Sequence, residues 1–228
     1  MGSTVALKLL SALVSLGGAA LLVASLFSPH FLNVHEKHPG ALVQVSAWLG
    51  FLKGEMVWKT FLEKPAVVPF DYKAGALCKD ACNTLRKAGM YGTAALCLAS
   101  VLLVGAATLV LAACPMQTEP PLIGRPRLPL HPHLVVWSRH LCIYAANAIA
   151  AGVLIWFLML QRLGGEYADM GLHGDTTASP GLSLWLVVGG FASVVGNTVI
   201  LTVVRLFERL RVAEGRGSQE HTPLVSLI

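Results

Sequence analysis

Five cysteines and eight histidines are the residues of this chain that could bind metal, pair oxidatively or attack a substrate, and their spacing decides which. His35 with His38, and His131 with His133, form two sparse pairs, whereas a metal site needs more ligands at a defined geometry. Cys78 and Cys82 stand four residues apart, with no histidine beside them at a zinc-like spacing. An oxidising compartment would let them form a disulfide if a local turn replaces regular helix; two free thiols or a metal pair are the alternatives. Cys97 and Cys142 lie in apolar stretches and read as small core residues. Cys114 closes such a stretch, where S-palmitoylation of a juxtamembrane cysteine competes with an unmodified thiol. No glycine loop of phosphate-cradling form is present, and no nucleophile has a recognisable base partner. The expectation is a protein that is not an enzyme, with no catalytic residues, no cofactor and no bound metal.

What must position these residues is apolar. Hydrophobic residues make up 55% of the chain and charged ones 13%, against roughly 25% charged in an ordinary globular protein. The charges avoid Leu9–Ser28, Ala88–Thr118, Leu141–Gln161 and Thr176–Val204 altogether. A helix needs about 20 apolar residues to cross a hydrocarbon core of about 30 Å, and lipid offers no partner for an unpaired backbone amide. Four transmembrane helices follow, over about 7–28, 89–113, 136–161 and 182–204 of one tetraspan domain. The first is expected to stay uncleaved, because Ser25-Leu26-Phe27-Ser28-Pro29 is a poor signal cleavage site. Ala6 stands where N-myristoylation prefers a hydroxyl residue.

The connections set the orientation. Residues 29–88 form a long loop; 114–135 are short, proline-rich and basic, with Arg125 and Arg127; 162–181 are acidic; the tail 205–228 carries Arg205, Arg209, Arg211 and Arg216. Positive short loops stay cytoplasmic, and long loops translocate largely regardless of charge. Both termini are therefore expected in the cytoplasm and the long loop outside, in a multi-pass protein of the plasma membrane. No span holds an ionisable residue in its middle, which argues against a pump or a proton-coupled transporter. A net charge of +5 without a basic run gives nucleic-acid binding no support.

Small residues recur at helical spacing in the last two spans: Ala146 with Ala150, Ala148 with Gly152, and Gly189, Ser193 and Gly196. Such residues let helix backbones approach closely, and packing inside this bundle is the simpler use for them than a dimer face. In the long loop, Ala41–Lys53 and Glu55–Glu63 are rich in strand formers, with a turn expected at Lys53-Gly54-Glu55. Residues 76–87 read as helix running into the second span. Pro126, Pro129 and Pro132 form a stiff connector that could also be read as a polyproline turn. The ending Ser226-Leu227-Ile228 has the form of a PDZ ligand.

The layout resembles the superfamily of claudins, peripheral myelin proteins, calcium-channel gamma subunits and amastins. The resemblance is carried by Phe27-Ser28-Pro29-His30-Phe31 at the exit of the first span, by Trp48-Leu49-Gly50 and Trp58, by Cys78 and Cys82 ahead of the second span, and by Arg86, Trp156-Phe157 and Gly189-Gly190. Gly50 is followed by Phe51-Leu52, and the two cysteines are closer together than claudin cysteines are. The resemblance implies a mainly α, left-handed bundle of four transmembrane helices with a small antiparallel β-sheet in the first outer loop, framed by Trp48, Gly50 and Trp58. It also implies action through protein–protein contacts in membrane organisation, adhesion or junctions. The partners would be the bilayer, other membrane proteins or further copies of the chain, and a PDZ scaffold at the tail. An auxiliary subunit of a channel, transporter or other membrane complex is the alternative.

Overall fold

The computed structural model describes residues 2–36, 43–60, 64–72, 79–114, 131–163 and 176–220. The described residues form four helices, α1 (Gly2–Phe27), α2 (Lys79–Ala112), α3 (His131–Arg162) and α4 (Leu182–Glu220), with four strands between α1 and α2 and a fifth between α3 and α4. The strands are β1 (Leu32–Glu36), β2 (Val43–Leu49), β3 (Lys53–Thr60), β4 (Ala66–Asp71) and β5 (Thr176–Pro180). All four helices are long and apolar enough to cross a membrane. Their outward faces carry Leu13, Leu98, Val101 and Leu154, all more than half exposed, a pattern that only a lipid solvent makes favourable. Exposed Trp137 and Trp185 sit near opposite ends of the bundle, where interfacial tryptophans belong.

The helices exceed the spans expected from the charge-free runs. At 1.5 Å per residue, the 34 residues of α2 are about 51 Å long, well beyond the hydrocarbon core. The extra turns carry Arg86 and Lys87 at one end of α2 and Arg205, Glu208 and Arg209 in the last half of α4. Helical hydrogen bonding does not stop where hydrocarbon stops, so charge-free length marks the lipid and underestimates the helix. α1 packs against α2 and α4, and α3 packs against the same two, giving a four-membered ring. Small residues make the contacts close. A Cβ on Gly18 would lie 2.9 Å from Ser193 Cβ, one on Gly190 would lie 2.6 Å from Leu22, and one on Gly152 would lie 2.7 Å from Ala95. Part of the α4 stripe is thus spent inside the bundle, while Gly196 meets open space.

All five strands form one antiparallel sheet in the order β4-β3-β2-β1-β5. Because side chains alternate across a sheet, the register puts Leu32, Val34, Val45, Ala47, Leu49, Met56 and Phe70 on one face. That face is buried. Asn33, His35, Ser46, Trp48, Glu55 and Lys59 fall on the other. The expected hairpin exists, but its turn is Gly50-Phe51-Leu52, earlier than Lys53-Gly54-Glu55. The reason is steric. A Cβ on Gly50 would lie 2.7 Å from the Ser28 carbonyl and 2.8 Å from the Lys53 carbonyl, so only glycine fits there.

Phe51, next in the turn, leaves the sheet and enters the bundle. Its ring lies 4.5 Å from Phe31 and 5.7 Å from Trp156, and Phe31 lies 4.4 Å from Trp156. Ring centroids at these separations and tilts are favourable beyond simple burial, by about 0.5–1.5 kcal/mol per pair. Space for Phe51 comes from α2: its backbone carbonyl rests on Gly89 and its ring on Gly92. Tyr72, at the end of β4, donates a 2.9 Å hydrogen bond to the Gly50 carbonyl and fixes the turn from behind. Burial pushes the Tyr72 phenol well above its ordinary value, so it remains a neutral donor.

Any side chain at position 89 would meet the Phe51 main chain, which cannot rotate away. Gly89→Ala is therefore expected to cost about 1–3 kcal/mol, the range for overpacking a dense core. Gly17, with nothing within 4 Å of an added Cβ, is the control. Thermal unfolding in detergent checks the pair: Gly89→Ala melts earlier than wild type and Gly17→Ala does not.

Candidate functional site

The sheet carries the residues expected to frame an outer domain, and it uses them differently. Gly50 is buried at the turn. Trp48 is half-buried on the outer face and stacks on His30, centroids 4.5 Å apart, closing the corner where the chain leaves α1. Trp58 is 37% exposed. It pairs with Val45 and Ala66 toward the end of the hairpin farthest from the turn. Beside it on β4 lie Val67, 51% exposed, and Val68, 40% exposed, and Val43 on β2 is exposed as well. β4 is an edge of the sheet. Pro69 removes one ladder donor from it. Trp48 and Gly50 therefore act within the fold. The register puts Trp58, Val68 and Val43 on one face as an exposed apolar patch near the β4 edge, and Val67 on the other.

The cysteines divide three ways. Cys82 is buried in the first turn of α2, and Cys78 lies outside the described residues. Cys114 is half-buried immediately after α2, its amide bonded to the Leu111 carbonyl. Cys142 is buried, as a core cysteine should be. Cys97 is exposed on α2, contrary to expectation. An apolar run does not disclose which face of its helix points to lipid, and Leu96 and Ala99 take the inward positions around it. Ser226, Leu227 and Ile228 also lie outside the described residues. Among those described, no three His, Cys, Asp or Glu residues are grouped to hold a metal ion.

Two polar contacts inside the bundle are absent from the sequence reading. Asn197 of α4 accepts a hydrogen bond at Oδ1 from Ser11 and donates through Nδ2 to Ser15 Oγ at 2.6 Å and Cys142 Sγ at 3.2 Å. Both N–H donors of this amide and its oxygen are thereby engaged, by side chains from α1 and α3. Nearer the end opposite the sheet, Lys8 Nζ lies 2.8 Å from Glu208 Oε1 and donates to the Ala113 carbonyl at 3.2 Å. One ammonium thus joins α1, α4 and the C-terminal end of α2, where a cation also complements the helix dipole. Lys8 stands about 29 Å from Phe27 along α1 at 1.5 Å per residue, the depth of a hydrocarbon core, so the pair sits at the membrane boundary. The available signals were Ser11 and Ser15 at a spacing of four on one helix, and a single amide in the last span.

The Lys8 side chain is 7% exposed and that of Glu208 27%, so removing the acid strands the base. Glu208→Ala is expected to cost about 3 kcal/mol, the low end for leaving one member of a buried pair alone. Lys8→Met combined with Glu208→Leu should recover most of that loss. A double-mutant cycle of thermal unfolding in detergent measures the coupling; additive single changes would show that the two charges do not interact.

Comparison with known proteins adds no homologue: no protein-family model matches the chain, and no curated protein matches it.

Proposed function

We propose that the chain is a claudin-like tetraspan protein of the plasma membrane that acts by holding other proteins through its sheet, in membrane organisation, adhesion or junctions. The observation that carries this reading is the apolar patch of Val43, Trp58 and Val68 on one face near the β4 edge, which leaves both side-chain and backbone groups for a partner. A charge-poor bundle with its interior amide fully engaged suits a scaffold better than a conduit. The loop charges favour a sheet outside the cell and both termini in the cytoplasm. The tail offers Ser226-Leu227-Ile228 to a PDZ scaffold, and Cys114 stands where a palmitoyl chain would enter the bilayer.

A thiol placed on the patch tests the contact and the orientation together. Val68→Cys, treated on intact cells with a membrane-impermeant thiol-to-amine cross-linker, should give a discrete adduct that Trp58→Ser weakens severalfold. An adduct between two copies of the chain supports the adhesion reading, and a single larger partner in fixed ratio supports an auxiliary subunit. Adducts that form only after permeabilisation overturn the orientation, and none under either condition overturns the contact.

The bridge between Cys78 and Cys82 belongs to the same reading, as a short clamp at the start of α2. Denatured without reductant, the protein should keep both thiols from alkylation while Cys97, Cys114 and Cys142 react. Alkylation of Cys78 and Cys82 under those conditions would exclude the bridge and remove its support for an oxidising compartment.

A further inference from the structure

At the sheet end of α2, beside the contact of Phe51 with Gly89, the Gly50-Phe51-Leu52 turn, the end of β4 and the helix border a cavity of about 680 Å³. Phe51, Leu52, Met90 and Ala94 give it an apolar floor, and Arg86 and Lys87 lie at its rim with Asp71. A second hollow of about 640 Å³ continues past Leu52 and Asp71 to Leu26 and Phe27 of α1, with Lys53 beside it. Each is of the size that holds a small-molecule ligand.

The lining is sorted by depth. Arg86 and Lys87 come one to two turns before Met90, Thr93 and Ala94 along α2, a separation of about 5–12 Å at 1.5 Å per residue. The span of which they are part is 33 residues long, well over the roughly 20 that hydrocarbon needs. Its first turns therefore stand at the headgroup level while Met90 and Ala94 reach acyl chains. Three cations, Lys53, Arg86 and Lys87, face one carboxylate there, so the rim is net positive. Arg86 donates to Asn83 Oδ1 at 3.2 Å, a neutral acceptor that leaves its charge uncompensated by that bond. Lower in the wall the Thr93 hydroxyl is buried with no hydrogen-bond partner, although buried polar groups are ordinarily paired. The Tyr72 phenol, in contrast, is already committed to the Gly50 carbonyl.

We propose that this cavity is a binding site for one anionic phospholipid drawn from the leaflet on the sheet side. Its phosphate lies between Arg86 and Lys87, its ester region reaches the Thr93 hydroxyl, and one acyl chain runs over Phe51, Met90 and Ala94. A zwitterionic lipid would fill the same floor but bring its own cation to a positive rim. The site does not depend on which proteins the β4 edge contacts, or on whether it contacts any.

Purified full-length protein in nanodiscs, or in detergent with added lipid, tests the assignment by native mass spectrometry of retained lipid. Phosphatidylglycerol should be retained about tenfold more tightly than phosphatidylcholine, a preference in keeping with two basic residues near a headgroup. Arg86→Gln with Lys87→Gln, both exposed positions, should reduce the preference to near unity. Met90→Trp, which fills the floor, should lower retention of both lipids severalfold, whereas Leu13→Trp on the outer face of α1 should leave both unchanged. Inorganic phosphate at millimolar concentration should not displace the lipid. Equal retention of the two lipids by wild type, a preference that survives the double glutamine variant, or displacement by phosphate alone would each overturn the proposal.

Discussion

The main chain of Phe51 lies against Gly89 so closely that nothing larger than hydrogen can separate them. The rest of the sheet end depends on that approach. With Phe51 seated, its ring completes the cluster with Phe31 and Trp156, which joins the exit of α1, the hairpin turn and the end of α3. With the turn held at Gly50, β2 and β3 take the register that lays Ala47, Leu49 and Met56 over the helices. Hydrophobic exclusion drives this part of the structure, since it lies above the hydrocarbon and meets water. Within the bilayer that force is absent between helices, and close backbone contact at Gly18, Gly152 and Gly190 takes its place.

Two kinds of fastening divide the molecule from top to bottom. The sheet end is held by aromatic rings and by backbone hydrogen bonds, among them Gly181 N–H to the Phe31 carbonyl and Ser183 N–H to the His30 carbonyl. Farther down, α1 is held by Asn197 and then by the Lys8–Glu208 pair. These polar contacts are directional and few, so they fix rotation and register more than they add stability. The proposed lipid site lies where the two regimes meet, between the Phe51 turn, the end of β4 and the first turns of α2.

How much of this the sequence disclosed follows from the physics of each signal. Charge-free runs located all four spans, because burying a charge in hydrocarbon is costly enough to leave a trace in single residues. The helical reading of residues 76–87 anticipated the start of α2, but the end of α4 was placed too early because beyond the lipid nothing prohibits charge on a helix. Strand formers in Ala41–Glu63 revealed β2 and β3. β1, β4 and β5 escaped, since five or six residues containing His35, Pro69 or Pro180 have no clear alternation of their own. Their pairing is supplied by neighbours distant in the chain. Trp48, Gly50 and Trp58 fall in or beside the β2–β3 hairpin, but composition could not say that the two tryptophans lie on opposite faces or that Trp58 runs past the buried part of its own. Asn197 and Ser11 were legible as polar residues in apolar runs and illegible as partners, because 186 residues separate them in the chain.

The seam between α1 and α4 carries a consequence for biogenesis. A chain leaving the ribosome exposes α1 first, and several polar groups on its packing face await α4. Ser11, Ser15 and Lys8 must therefore remain without Asn197 and Glu208 until the last helix enters the bilayer. The sheet has the same delay, because β1 cannot gain its second neighbour before β5 is made. Three-quarters of the protein is thus synthesised around an unfinished edge, and the interval before α4 inserts is when this chain most needs shelter from premature association or degradation.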